Sequence, residues 1–298
     1  MKVIISGSSG FIGKNLTTYL SKSGYNITRL VRNVQYNDPS YKTVYWNPED
    51  NIMSPDLFNG CDAIIHLGGV SLLSPRWTSQ KKRKIKNSRI KSTSLLASSI
   101  AKLPNPPKKL IVASATGFYG DTSDEITDET GKCGSGFLAN TAKSWEDSSS
   151  TAKKNGVNVI NARFGMVLDW SGGSLPLMSL PFKYGFGAII GGGQQWLSWV
   201  SLIDTMRAIL FLLKSDVNGP VNIVSKHPIS QKDFCDILAT HYSKKARFKI
   251  PEIIVEKLFG EMGNELFLSS SRIIPSALID AGFKFKFSNL SDFLKSSA

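Results

Sequence analysis

Disulfide and metal chemistry have little to work with in this chain. Its 298 residues include three cysteines, Cys61, Cys133 and Cys235, and three histidines. The cysteines lie too far apart for a CxxC metal or redox pattern, and their odd number argues against a secreted disulfide framework. No apolar run reaches the roughly 18–20 residues of a membrane span. The opening MKVIISG is apolar for only a few residues before Gly7 and Ser8, so no signal peptide is expected. A soluble protein of a reducing compartment, the cytoplasm, is expected, without membrane contact. Acidic residues are also scarce: Asp and Glu number 23 against 36 Lys and Arg, a formal net charge of +13. That imbalance predicts anionic partners, be they phosphates of a small molecule, nucleic acid or lipid. Hydrophobic residues at 41% and charged residues at 20% exclude a disordered chain. The length suits one large or two modest domains.

What is present is an alternation. Lys2–Ser6 is a β-branched apolar run that reads as a buried strand. Gly7-Ser8-Ser9-Gly10-Phe11-Ile12-Gly13 follows at once. Helical spacing then runs from Phe11 to Leu20 and closes at Gly24. Further strands are predicted at Asn26–Val31, Thr43–Trp46, Asp62–Leu67, Lys109–Ser114 and Val157–Arg163. Helices are predicted over Gln80–Lys102 and Phe137–Asn155. This order predicts an α/β fold of Rossmann type, a doubly wound parallel sheet with helices on both faces. Gly172–Gly193 is rich in Gly and Pro and shows no clear period; such long irregular stretches are usually functional. Val221–Val224 returns to the sheet. Helical patterns at Gln231–His241 and Ile253–Phe259, then the apolar run Phe283–Phe287, suggest a small C-terminal domain. The boundary is expected near Ser225, giving domains 1–224 and 225–298, with 170–200 contributing to a substrate cleft.

The strand, the glycine turn Gly7-x-x-Gly10-x-x-Gly13 and the helix form one unit. A tight turn after a parallel strand needs glycine, and so does a pyrophosphate lying against backbone, because a Cβ blocks its approach. The helix N-terminus adds free N–H groups and partial positive charge. Gly7, Ser9, Gly10, Phe11, Ile12 and Gly13 are therefore candidate cofactor residues. An acidic residue at the end of the second strand would bind the ribose 2′-hydroxyl of NAD. This chain has Arg32 there, either a solvated arginine or a guanidinium that pairs with a 2′-phosphate. The second reading predicts NADP(H) as cofactor. Leu67, Gly68 and Gly69 end the fourth strand, where small residues let a cofactor pass; His66 before them is expected to be structural. In Lys81-Lys82-Arg83-Lys84-Ile85-Lys86, Ile85 and Ile90 continue to Leu95 and Leu96 as a buried stripe, so the charge reads as a solvated face and no nucleic-acid partner is expected.

The segments SGSSGFIG, HLGG, VASATGFYGD, RFGMVL and GGGQQWLSW resemble the extended and atypical branch of the short-chain dehydrogenase/reductase superfamily, and more closely the YfcH-type epimerase-family proteins. Arg76-Trp77, Ser88-Arg89, Trp145-Glu146 and IIPSALIDAGFKF add to the likeness, which runs almost end to end. The resemblance implies an NADP(H)-binding Rossmann domain, a small domain closing over a substrate cleft, and hydride transfer on a polar metabolite such as a nucleotide sugar. It also implies that Ser114, Ala115 and Thr116 face the cofactor, with Ser114 bonding the substrate oxygen. The superfamily's Tyr-x-x-x-Lys pair is absent: Phe137 and Thr141 occupy the matching positions, and Lys143 lies about 200° round the helix from Thr141. Tyr119 is the candidate replacement phenol, or else a packing aromatic. Arg76 and Trp77, with Gln195 and Trp199 beyond the glycine-rich loop, are the candidate substrate contacts, although Trp77 suits a core equally well. Asp204 is the one acidic residue kept where relatives carry His and two Asp. Arg163-Phe164-Gly165 is expected to be a hinge beside the cofactor. The missing Tyr and Lys leave a second reading open, an NADP(H)-binding regulatory or partner-binding protein with little turnover.

Overall fold

The computed structural model describes residues 1–33, 38–53, 55–74, 76–246 and 248–296. The apolar runs become β1 (Lys2–Ser6), β2 (Asn26–Val31), β3 (Lys42–Tyr45), β4 (Ala63–His66), β5 (Lys109–Ala115) and β6 (Asn158–Phe164). With the strand Gly219–Ile223 they form a seven-stranded sheet in the order 219–223, β6, β5, β4, β1, β2, β3. Every pairing in it is parallel. Val3, Ile4, Ile5, Ile64, Ile65, Leu110 and Ile111 are fully buried, as expected of parallel strands covered on both faces. The strand order reverses between β1 and β4, so their carboxyl ends open the crevice where such sheets take ligands.

Helix α1 (Phe11–Lys22) buries Gly13, Leu16, Thr17 and Leu20. It stops at Gly24, whose φ of +84° suits the left-handed end of a helix. Thr78 caps α2 (Ser79–Ala101) by accepting a hydrogen bond from the Lys81 N–H. The helix predicted over Phe137–Asn155 is two: α3 (Phe137–Asp147) and a short turn at Ser150–Lys154. The break is local chemistry. Ser148 and Ser149 turn their hydroxyls back onto the Trp145 and Glu146 carbonyls and compete with the helix ladder.

The two largest of four apolar clusters among the described residues each draw on chain from both sides of Ser225. The first lies under the large sheet and draws in Leu278 and Phe283 from the chain's end. The second joins Leu168, Leu175, Phe182, Ile189 and Trp199 to Phe234, Leu238, Leu290 and Phe293. The chain thus crosses between the two clusters more than once. Gly172–Gly193 also holds more regular structure than its composition suggests, a helix at Leu175–Lys183 and a strand at Ala188–Ile190.

One expectation needs correction here. Trp199, a candidate substrate contact, is 1% exposed and donates its indole N–H to the His227 carbonyl; it is a core residue. Asp204 is fully buried, and its oxygens accept from the backbone N–H groups of Lys286 and Phe287 at 2.7 and 2.8 Å. It fastens the C-terminal segment to the helix Leu202–Lys214.

Candidate functional site

The three glycines after β1 answer to different demands. Gly7 has φ +72°, and a Cβ there would lie 2.7 Å from the Leu67 carbonyl carbon. A Cβ on Gly13 would lie 2.1 Å from the Gly7 oxygen, so glycine lets α1 close against the turn. Gly10 differs: its nearest neighbour would be the Gly7 oxygen at 3.4 Å, an ordinary contact. Its φ is −75°, so nothing inside the protein requires glycine there. Ser9 and Gly10 are exposed, and Phe11 and Ile12 half-buried, at the start of α1, whose first turn holds no acidic side chain. The open helix start and the unclaimed space at Gly10 fit an anion seated on backbone.

Two arginines of the β2 end lie near this turn, one of them 3.9 Å from Asp38. Arg29, buried in β2, donates from Nε to the Ser8 hydroxyl at 3.1 Å. Arg32 is exposed just beyond β2. It lines a crevice with Trp46, Gly68, Gly69, Ser92 and the ion pair of Lys91 with Glu49 at 3.6 Å. A groove of about 730 Å³ continues from that crevice along the outer half of α2, past Pro48, Glu49 and Lys91; it runs away from the glycine turn. His66 lies beneath, fully buried, with Nδ1 against the Ser6 hydroxyl and Nε2 2.9 Å from Ser92 Oγ. Burial, with a smaller push from Arg32, lowers its pKa to about 3, so it is a neutral structural residue as expected.

At the carboxyl end of β5 the structure differs from the expected catalytic pair. Ser114 is buried and donates to Glu146 Oε1 at 2.7 Å. Glu146 is gripped in two places by Arg163, Nε to Oε1 and Nη2 to Oε2, each at 2.8 Å. Arg163 Nη1 donates to the Tyr119 hydroxyl, which donates to Asn222 Oδ1, both at 2.8 Å. Tyr119 is 4% exposed, and burial raises its pKa against the opposing pull of Arg163. Burial alone would lower the Arg163 pKa, but Glu146 and Tyr119 raise it overall. Both candidate hydroxyls are therefore committed to an internal ion-pair network rather than turned outward as acids. Ala115 and Thr116 follow, half-buried. Arg163 is no free hinge; its guanidinium carbon lies 3.6 Å from the Phe118 ring centroid. The need for a partner to Arg163 was discernible in principle, because a charged residue inside an apolar strand must find one when buried; that the partner is Glu146 of α3 was not.

The remaining substrate candidates hold the protein to itself. Arg76 donates to the carbonyls of Lys257 and Leu258, at the end of the helix Glu252–Phe259. Trp77 is 9% exposed, bonds the Leu72 carbonyl and meets Phe137 edge-on at 5.2 Å. Gln195 Nε2 donates to the Ile190 and Phe267 carbonyls. Phe137, at the superfamily's tyrosine position, sits in this aromatic cluster. Thr141, at the lysine position, has a buried hydroxyl with no hydrogen-bond partner among the described residues.

The NAD dependent epimerase/dehydratase family matches residues 3–224, and a domain of unknown function (DUF1731) matches 250–297. Epimerase family protein Mb2239 of Mycobacterium bovis is 36% identical over 293 residues, covering 98% of this chain and 96% of its own. The crystal structure of human epimerase family protein SDR39U1 with NADPH superposes with a TM-score of 0.89 at 28% identity, covering 100% and 99% of the two chains. The nucleoside-diphosphate sugar epimerase of Corynebacterium glutamicum gives a TM-score of 0.82 at 29% identity, covering all of this chain and 58% of that one. The parallel sheet, the glycine turn at its switch point and these matches agree: this chain belongs to the NAD dependent epimerase/dehydratase family.

Proposed function

We propose that this protein binds NADP(H) along the carboxyl edge of its sheet and acts as an epimerase-like oxidoreductase on a polar metabolite, with nucleotide sugars as the first class to test. The observation that carries the reading is Gly10, a glycine that the protein's own packing does not need and that a backbone-seated diphosphate does. Gly7 to Gly13 would hold the diphosphate, with Arg29 supporting the turn through Ser8. Leu67 to Gly69 would line the crevice, and Arg32 would meet the 2′-phosphate. The human relative's NADPH and the Corynebacterium relative's name support the cofactor and the substrate class. When bound, the nicotinamide supplies a hydride acceptor or donor. The chain's part would be to orient it: Glu146 and Arg163 fix the end of β5, Ala115 and Thr116 would line the nicotinamide's side of the crevice, and segments 170–200 and 225–298 would cover the substrate.

Calorimetry with NADPH and NADH tests this directly. NADPH is expected to bind at least tenfold more tightly, and Arg32→Glu to lose most of that preference with NADH affinity within about threefold; a tenfold change is about 1.4 kcal/mol, within reach of one charge-assisted contact. Equal or tighter NADH binding in the unaltered protein would refute the assignment. A second reading, cofactor binding with little turnover, is favoured by the inward-turned hydroxyls of Ser114 and Tyr119 and by Phe137 and Thr141. Reduced-nicotinamide absorbance followed over a panel of carbonyl compounds separates the two: turnover of any member refutes the second reading.

A further inference from the structure

The helix Leu175–Lys183 is built inside out. Its one hydroxyl, on Ser179, is buried and donates to the Pro176 carbonyl at 3.0 Å, while Leu177 and Leu180 stand exposed. Leu175 and Phe182 belong to the second apolar cluster. Leu177, Leu180 and Tyr184 recur at i, i+3 and i+7 and therefore share the outward face. Gly185, at φ +81°, ends the helix. The Phe186 N–H then returns to the Pro181 carbonyl at 2.8 Å, which folds Phe186 back along the last turn. Phe186 stacks on Phe248, with ring centroids 6.2 Å apart. Phe248 opens the strand Phe248–Ile250, which pairs with Ala188–Ile190. These five side chains make one apolar surface, each between 49% and 67% exposed. Side chains exposed to that degree project outward rather than line a groove, and apolar groups gathered in this way mark a contact surface.

The border of this surface is positive. Segments 170–190 and 237–251 contain no Asp or Glu. Lys183 adjoins Tyr184, and Lys244 and Lys245 are exposed within about 14 Å of Phe248, the reach of the four residues between. Among the described residues no carboxylate lies within ion-pair distance of these three lysines. The charge selects the occupant. A two-fold pairing with a second copy would bring the same lysines into one interface, and a bound peptide needs a groove. An anionic lipid surface satisfies both features: apolar and aromatic side chains enter the boundary between headgroups and acyl chains, and lysines meet the headgroups. Among the described residues no helix is long and apolar enough to cross a membrane, and contact of this kind needs none.

We propose that the face formed by Leu177, Leu180, Tyr184, Phe186 and Phe248 seats this protein on an anionic lipid surface, with Lys183, Lys244 and Lys245 against the headgroups. The inference is independent of the cofactor.

Flotation of the whole protein with vesicles of phosphatidylcholine alone, and of phosphatidylcholine mixed with phosphatidylglycerol, at about 0.15 M salt reads the surface. Capture by the mixed vesicles is expected to exceed capture by the neutral ones about fivefold or more. Leu180→Ser with Tyr184→Ser and Phe186→Ser should lower it about tenfold, at an unchanged melting temperature because these side chains are exposed. Lys183→Glu with Lys244→Glu and Lys245→Glu should bring it down to the neutral level. Lys84→Glu with Lys86→Glu, on the exposed side of α2, controls for net charge and should leave capture within about twofold; an equal loss there would mean adsorption of any basic surface and overturn the proposal. Phe186→Trp reads insertion itself. Its emission, taken as the difference from the unaltered protein, should shift to shorter wavelength on the vesicles and be quenched by brominated lipid; unmoved emission at full capture overturns the proposal. So do equal capture by the two vesicles, no capture by the mixed ones, and capture that the serine substitutions leave within about twofold. A concentration-dependent dimer lost in the serine variant, without vesicle capture, would assign the surface to a second copy. Retention on poly-glutamate without vesicle capture would assign it to an acidic protein. Either result overturns the lipid assignment.

Discussion

His66 shows how far a single residue's surroundings decide its chemistry. Two serine hydroxyls and the sheet enclose it, and its pKa falls from 6.5 to about 3. In the unfolded chain the ring takes a proton near pH 6.5; in the folded protein it refuses one until about pH 3. Between those values the unfolded state binds more protons, so stability falls as pH is lowered through this window, by up to about 1.4 kcal/mol per unit well inside it. Urea unfolding at pH 7.5 and pH 5 should show this fall in the unaltered protein and a shallower one in His66→Gln, whose amide can still meet Ser6 and Ser92. Equal slopes would refute the burial argument. The sequence foretold His66 as structural from the lack of a paired carboxylate. It left Tyr119 open between phenol donor and packing aromatic and did not foretell that Ser114 turns inward, because that direction depends on Glu146 and on Arg163, which pairs with Ser114 across β5 and β6 though 49 residues separate them in the chain. Residue type and position were legible; the long-range partner was not.

At the scale of elements, what could be read was what local pattern controls. The seven strands of the large sheet and the helices α1, α2 and Gln231–His241 follow from apolar runs, helical spacing and end signals. What escaped was set by contacts distant in sequence. The start of α3 is an example. Gly136, at φ +100°, precedes a helix with no capping side chain of its own. Instead Glu265 accepts from the Phe137 and Leu138 N–H groups through both oxygens, at 2.7 Å each. A carboxylate at a helix N-terminus satisfies free donors and meets the favourable end of the dipole. Because the cap comes from the segment matched by the second domain, it ties that segment to the helix carrying Glu146. Glu265→Ala should cost about 1–2 kcal/mol, the usual worth of a cap, and Glu265→Gln less, since its one remaining carbonyl oxygen still accepts. Chemical denaturation measures both; a loss under 0.3 kcal/mol for Glu265→Ala would show that solvent replaces the cap freely.

Across the whole molecule the sequence suggested two domains in series, and in the packing the two largest apolar clusters each draw on both early and late segments of the chain. The sheet was legible because each strand announces itself; the interleaving was not, since Leu278 and Phe283 carry no mark of which core they join. Asp204 is the rivet of this arrangement. It has no solvent exposure, and its oxygens accept from Ser201 Oγ, Arg207 Nη1 and the Lys286 and Phe287 N–H groups. A buried carboxylate is expensive to desolvate, and only full pairing offsets that cost. Removing it strands two backbone donors and a cation at once. Asp204→Ala should therefore lose about 3–5 kcal/mol, and the loss should be concentrated where the chain returns. Hydrogen exchange at Lys286 and Phe287 should accelerate far more than at β1 or β4, with limited proteolysis cutting first near 284–288. Asp204→Asn keeps the shape but turns a donor toward one of the N–H groups, and should fall between. Uniform acceleration over both cores would mean that the segment does not open separately and that Asp204 supports the fold as one cooperative unit.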